Sequence, residues 1–165
     1  MANLIKTCFT LSIVMAFLFT ASCTRNVKEM TLTNENATFT LVIAGDASEY
    51  KDSIREDVIA KYRAEARIEV INIEDLENLS EDSYDVILIM DTCIGWGTFN
   101  QSISHFLENT RRKDNIVLFI TADDEEWEFS YQNVDAITSA SEIENKETAT
   151  ALLCERIDGM MGQLH

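Results

Sequence analysis

The nine residues YDVILIMDT (84–92) are apolar almost without interruption, and NIVLFITAD (115–123) repeats the pattern. A strand with one wet face alternates apolar and polar residues, so a continuous apolar run must be covered on both sides, as in a central parallel strand. Parallel neighbours cannot be joined by a tight hairpin, and each needs a crossover of a dozen or more residues. The chain supplies them. TFTLVIAG (38–45) precedes SEYKDSIREDVIAKYRAEA (48–66), whose Ile54, Val58, Ile59 and Tyr62 recur at helical spacing with Asp46 or Ser48 available as N-cap. RIEVINI (67–73) and a helical turn near Asp75 to Asn78 lead into the first buried run. TFNQSISHFLENTRRK (98–113) is amphipathic through Phe99, Ile103, Phe106 and Leu107, with Arg111, Arg112 and Lys113 at its end, where cations suit the helix dipole. VDAIT (134–138) and EIENKETATALLCERIDGMM (142–161) complete the series as a strand and a closing helix.

Five strands joined by right-handed crossovers predict an α/β three-layer sandwich, a five-stranded parallel sheet in the order 2-1-3-4-5 with helices on both faces. Ligands of such sheets bind beyond the carboxyl ends of the strands, near the switch point between strands 1 and 3. With no proline anywhere, segment boundaries have to be read from Gly, Asn, Asp and Ser.

Residues 1–22 stand apart. Lys6, an apolar run from Cys8 to Phe19 and small residues before Cys23 have the layout of a secretory signal, too short for a comfortable membrane span. FTASC (19–23) resembles the lipobox of bacterial lipoproteins, with Thr20 where an aliphatic residue is usual. That resemblance implies acylation at Cys23, attachment to a bacterial cell membrane and exposure on its periplasmic or outer side. A plain signal cut near Ser22, or an uncleaved anchor, is the alternative. Polar residues 23–36 then read as the lipidated Cys and a flexible tether, and 37–165 as one domain.

Charge narrows the partners. The chain carries 13 Lys and Arg against 29 Asp and Glu, a net −16; without residues 1–22, 12 basic residues oppose the same 29 acids, giving −17. Such a surface repels nucleic acid and anionic headgroups and favours a basic partner protein. Cys93 and Cys154 remain in the domain as two buried free thiols or, in an oxidising compartment, a disulfide. With two His and no CxxC the chain offers no structural zinc site, and without G-x-S-x-G it offers no hydrolase nucleophile. Asp46 and Asp91 both end core strands, as acids do in phosphoaspartate receivers, but the receiver's paired acid after strand 1 and Lys after the last strand are absent. The acidic loop ADDEEWE (122–128) lacks EF-hand spacing and reads as solvated, or as a docking face for a basic redox partner.

From strand 3 to strand 4, YDVILIMDTCIGWGTFNQSISHFLENTRRKDNIVLFITADD resembles the flavodoxin-like family, with a buried strand, a Gly-and-aromatic loop, a helix bearing HFLEN and a second buried strand. The resemblance covers about residues 38–163. It implies FMN held by three loops and a role in electron transfer or flavin carriage. Carried over, Ser48 would meet the phosphate. Thr92, Cys93, Gly95, Trp96 and Gly97 would line one side of the ring, and Trp127 and Tyr131 the other. The first loop, GDASEYKD (45–52), departs from a phosphate cradle because Asp46 and Glu49 oppose an anion, although Ser48 and Lys51 can assist. Trp96 and Trp127 stack on a flavin in one reading and pack over the sheet edge in the other. DAITSAS (135–141) also resembles the Asp-x-x-Ser/Thr-Gly-Ala-Thr motif at which FMN is esterified through its phosphate, which would make Ser141 the acceptor and Asp135 the recognition residue; Ser139 replaces the Gly and Ser141 the Thr. The local alternative is a capping box, SEIE (141–144), in which Ser141 and Glu144 cap the last helix. A non-enzymatic binding module that has lost FMN is the competing function.

Overall fold

A computed structural model of the chain describes residues 25–93, 100–122, 130–131 and 134–162, with only the backbone described at Ser130, Tyr131 and Asp135. Among the described residues, eight strands and three α-helices follow in the order β1 (Arg25–Asn26), β2 (Met30–Leu32), β3 (Phe39–Ala47), α1 (Glu49–Tyr62), β4 (Ala66–Asn72), β5 (Val86–Thr92), α2 (Gln101–Asn109), β6 (Ile116–Ala122), β7 (Ser130–Tyr131), β8 (Val134–Ala140) and α3 (Lys146–Met161). Short 3-10 turns occupy Ile73–Asn78, Glu81–Ser83 and Ile143–Asn145. The path through the sheet is β2-β4-β3-β5-β6-β8-β7, with β1 added beside β3. This corrects the expected five-stranded, purely parallel sheet. The parallel members stand as β4-β3-β5-β6-β8, and β1, β2 and β7 join antiparallel.

Strand alternation divides the interior into two cores. Leu41 and Ile43 of β3, with Val86, Leu88 and Met90 of β5, face α1 and α3; Val42 and Ala44, with Ile87 and Ile89, face α2 and the turn at Ile73–Asn78. Every one of these strand residues is fully buried, which is why β5 shows no alternation in sequence. Each of these Val, Leu, Ile and Met side chains contributes about 1.5–3 kcal/mol on removal from water. On the first face α1 and α3 are clamped together. The Tyr62 hydroxyl reaches the Cys154 carbonyl (3.0 Å) and Asp158 Oδ1 (2.7 Å), and Lys61 reaches Asp158 Oδ2 (2.7 Å). Burial, with Asp158 beside it, holds the Tyr62 phenol far above its ordinary range.

Four boundaries differ from expectation for local reasons. Helix α2 starts at its Asn100 cap, whose side chain accepts from Ser102 N (2.9 Å), and closes at Thr110. Arg111, Arg112 and Lys113 therefore lie beyond the helix and do not occupy its last turn. Helix α3 begins only at Lys146, after the 3-10 turn, and β8 runs to Ala140.

The larger difference is at the N-terminus. Residues read from sequence as part of a flexible tether instead form a strap: β1 pairs with the end of β3 (Arg25↔Ala47, Asn26↔Asp46) and β2 with β4 (Met30↔Val70, Leu32↔Ile68). Between them Val27 is buried and its N–H donates to Asn72 Oδ1 (2.8 Å). The outer edge of β4 has backbone groups that need partners, and the strap supplies them despite its polar composition.

Candidate functional site

The carboxyl ends of β3, β5, β6 and β8 lie side by side, and their polar residues form one connected network. Ser48 caps α1, its hydroxyl accepting from Lys51 N (3.2 Å), and this start places Lys51 on the same helix face as Ile54 and Val58. Lys51 is fully buried. Its Nζ donates to Asp46 Oδ1 and to Thr92 Oγ1. Thr121, also fully buried, extends the chain of bonds from β6, with its Oγ1 3.2 Å from Thr92 Oγ1 and 3.4 Å from the Asp91 carbonyl. Beside it, Arg55 donates to Asp46 O (2.8 Å) and pairs with Asp52. A second link joins α1 to β8, where the Tyr50 hydroxyl and Ser139 Oγ are 2.7 Å apart.

Asp91 closes the network on the β5 side. It is 5% exposed, and Asn100 N lies 3.4 Å from its Oδ2. Burial pushes its carboxyl above the ordinary range and Asp46 adds to that, while the Thr92 amide, Lys51 and the Asn100 amide pull it down. A raised native pKa means that the folded chain keeps a proton the unfolded chain releases. The resulting stability is fully present below the ordinary carboxylate range and is lost as pH rises through the raised value. Asp91→Asn is expected to flatten that loss and raise the neutral-pH Tm. Thermal melts of both proteins between about pH 4 and 8 test it; parallel pH profiles would count against it.

The residues expected to hold a flavin are distributed as follows. Ser48 is occupied as a helix cap, and Thr92 is bonded to Lys51 and Thr121. Cys93 donates its N–H to Thr121 O (2.8 Å), is half-buried and is a free thiol, whereas Cys154 is free and buried. Tyr131 lies in β7, its backbone paired with Val134. Gly95, Trp96, Gly97, Trp127, the acidic loop beyond Ala122 and Cys23 lie outside the described residues. Ser141 is exposed just past β8, its N–H donating to Ala122 O (3.2 Å). The capping-box reading is corrected. Glu142 precedes the 3-10 turn and Asn145 precedes α3, neither with a side-chain cap. The intervening turn moves Ser141 too far upstream to cap the helix.

The sequence offered Lys51 as a phosphate helper and Ser139 as a motif position, but not Thr121, Tyr50 or the bonds that tie Lys51 to Asp46 and Thr92 and Tyr50 to Ser139. The spacing of Lys51 to Ile54 and Val58 carried a signal, because a Lys on the apolar stripe must find an anion inside. At the phosphate end these residues do not fit FMN. Asp46 neutralises Lys51, Ser48 is spent on the cap, and the first turn of α1 already holds Glu49 and Asp52 against the helix dipole.

No family model matches the chain, and no curated protein does. Among solved structures, oxidised Flavodoxin 2 from Bacillus cereus is similar over 73% of this chain and 98% of its own, at 17% identity and a TM-score of 0.48. The fold itself is an α/β sandwich with a mostly parallel sheet, by its strand order and its two helical layers.

Proposed function

We propose that the chain is a flavin-carrying or electron-transfer domain whose FMN is attached through its phosphate to Ser141, and not cradled after β3. The observation that carries this reading is the state of Ser141. It is exposed at the carboxyl end of the sheet, and no described residue engages its hydroxyl now that the cap is excluded. Bound there, flavin would supply reversible one- or two-electron chemistry. The proposal includes acylation at Cys23, export and membrane tethering, and a basic redox partner drawn by the acidic surface. A second reading, a binding module without flavin, is favoured by the Asp46–Lys51 pair at the place where a phosphate would sit.

The test is to express the protein with a flavin transferase and flavin supply, then denature it and measure bound yellow fluorescence and intact mass, with Ser141→Ala alongside. Flavin retained after denaturation and lost in the variant is the expected result. Absence of flavin from both native and denatured samples would leave the interaction-module reading. The same mass spectrum, taken on membrane-extracted protein, reports whether Cys23 is acylated.

A further inference from the structure

The strap and α1 line an open cavity of about 860 Å³, which shares only Asp52 and Arg55 with the network at the carboxyl ends of the strands. Its charge is opposite to that of the protein. Arg25, Lys28, Arg55 and Arg63 line it against two carboxylates, Asp52 and Glu56, in a chain of net −16. Arg25, Lys28 and Arg63 form no ion pair among the described residues. Arg55, 7% exposed, has its NH1 and NH2 engaged but no partner for Nε. Between these cations the wall is apolar, contributed by Met30 and Leu32 of β2, Val70 of β4 and Ile59 of α1. Met30 is 38% exposed, a large apolar side chain left at the surface.

Unpaired cations around an apolar wall select an anion that carries hydrocarbon, because free phosphate gains nothing from Met30 and Ile59 and a neutral hydrocarbon gains nothing from the arginines. The volume suits a headgroup with the first part of an acyl chain, within the usual range of roughly 300–1,000 Å³ for small-molecule pockets. We propose that this cavity binds the headgroup and proximal acyl segment of an anionic phospholipid. The chain argues for the membrane as the source, since Arg25 at the cavity is two residues from Cys23. That choice of source rests on the tethering proposed above; the ligand chemistry does not.

Both cores lie within residues 25–162, so protein from residue 23 onward with Cys23→Ser contains the whole described fold and can be tested in solution. Isothermal titration would compare lysophosphatidylglycerol below its micellar concentration with lysophosphatidylcholine and inorganic phosphate. The anionic lipid alone should bind, and Arg25→Ala and Arg63→Ala, both exposed positions, should each weaken it about tenfold, the equivalent of one charge-assisted bond. Asn72→Ala, which frees the strap at Val27 and leaves every cation in place, should weaken it as well. Equal affinity for the choline lipid, equal affinity for phosphate, or indifference to both arginine variants would each overturn the site. Binding of the anionic lipid by protein whose membrane-extracted counterpart carries no acyl group on Cys23 would keep the site and overturn the membrane as its source.

Discussion

Lys51→Met is expected to lower the unfolding free energy by about 3 kcal/mol, with a Tm lower by roughly 10 °C. Removing one member of a buried ion pair costs about 3–5 kcal/mol, because the survivor remains buried without its counter-charge. Here the survivor, Asp46, keeps 14% of its side chain exposed, which places the loss at the lower end. Thr92 loses its cation too, but its hydroxyl keeps Thr121 as a partner. The Asp46→Asn, Lys51→Met double variant removes both charges and is expected to recover more than half of the loss. Urea and thermal melts of the parent, Lys51→Met, Asp46→Asn and the double variant give the coupling directly. A single variant within about 1 kcal/mol of the parent would mean that the pair behaves as a surface bridge.

Gly45→Ala is expected to cost about 3 kcal/mol, at the upper end of overpacking effects. Gly45 lies opposite Met90 in the β3–β5 register, and a Cβ there would sit 2.6 Å from the Met90 carbonyl oxygen and 3.1 Å from its Cβ. The obstacle is backbone of a central strand, so it cannot swing away as a long side chain would. Gly159 provides the contrast within the same protein. A Cβ at that position in α3 meets nothing within 4 Å, and Gly159→Ala should stabilise by about 0.5–1 kcal/mol through helix propensity. Opposite signs for the two alanines in one denaturant series is the expected outcome; the same sign would contradict the close approach of β3 and β5.

Much of the framework could be read from periodicity. The continuous apolar runs at Val86–Met90 and Ile116–Ala122 announced burial on both faces, and the spacing of Ile54, Val58 and Tyr62 announced the inward face of α1. Arg25 to Leu32 left no such trace, because two- and three-residue strands have too few alternations to register. Their pairing is decided by the open edge of β4, a tertiary fact. The capping box failed for a related reason. Ser141 and Glu144 have the right spacing, but β8 continues two residues past the expected Thr138 and a 3-10 turn delays α3. The ligand end of the sheet was predictable from topology, and Asp46 and Asp91 were visible as strand-terminal acids. That a lysine from α1 would join them was legible only in the conflict between its charge and the stripe it occupies.

The short strands at the margins have a bearing on how the protein survives at high local density. A parallel sheet of hydrophobic strands with a bare rim offers a template on which another chain can grow by backbone pairing. Here one rim ends in the three residues of β2 and the other in the two residues of β7. The β2 tract is too brief to nucleate a long intermolecular ladder. Many copies crowded on a surface would therefore tend to remain separate molecules, with the acidic charge adding repulsion between them.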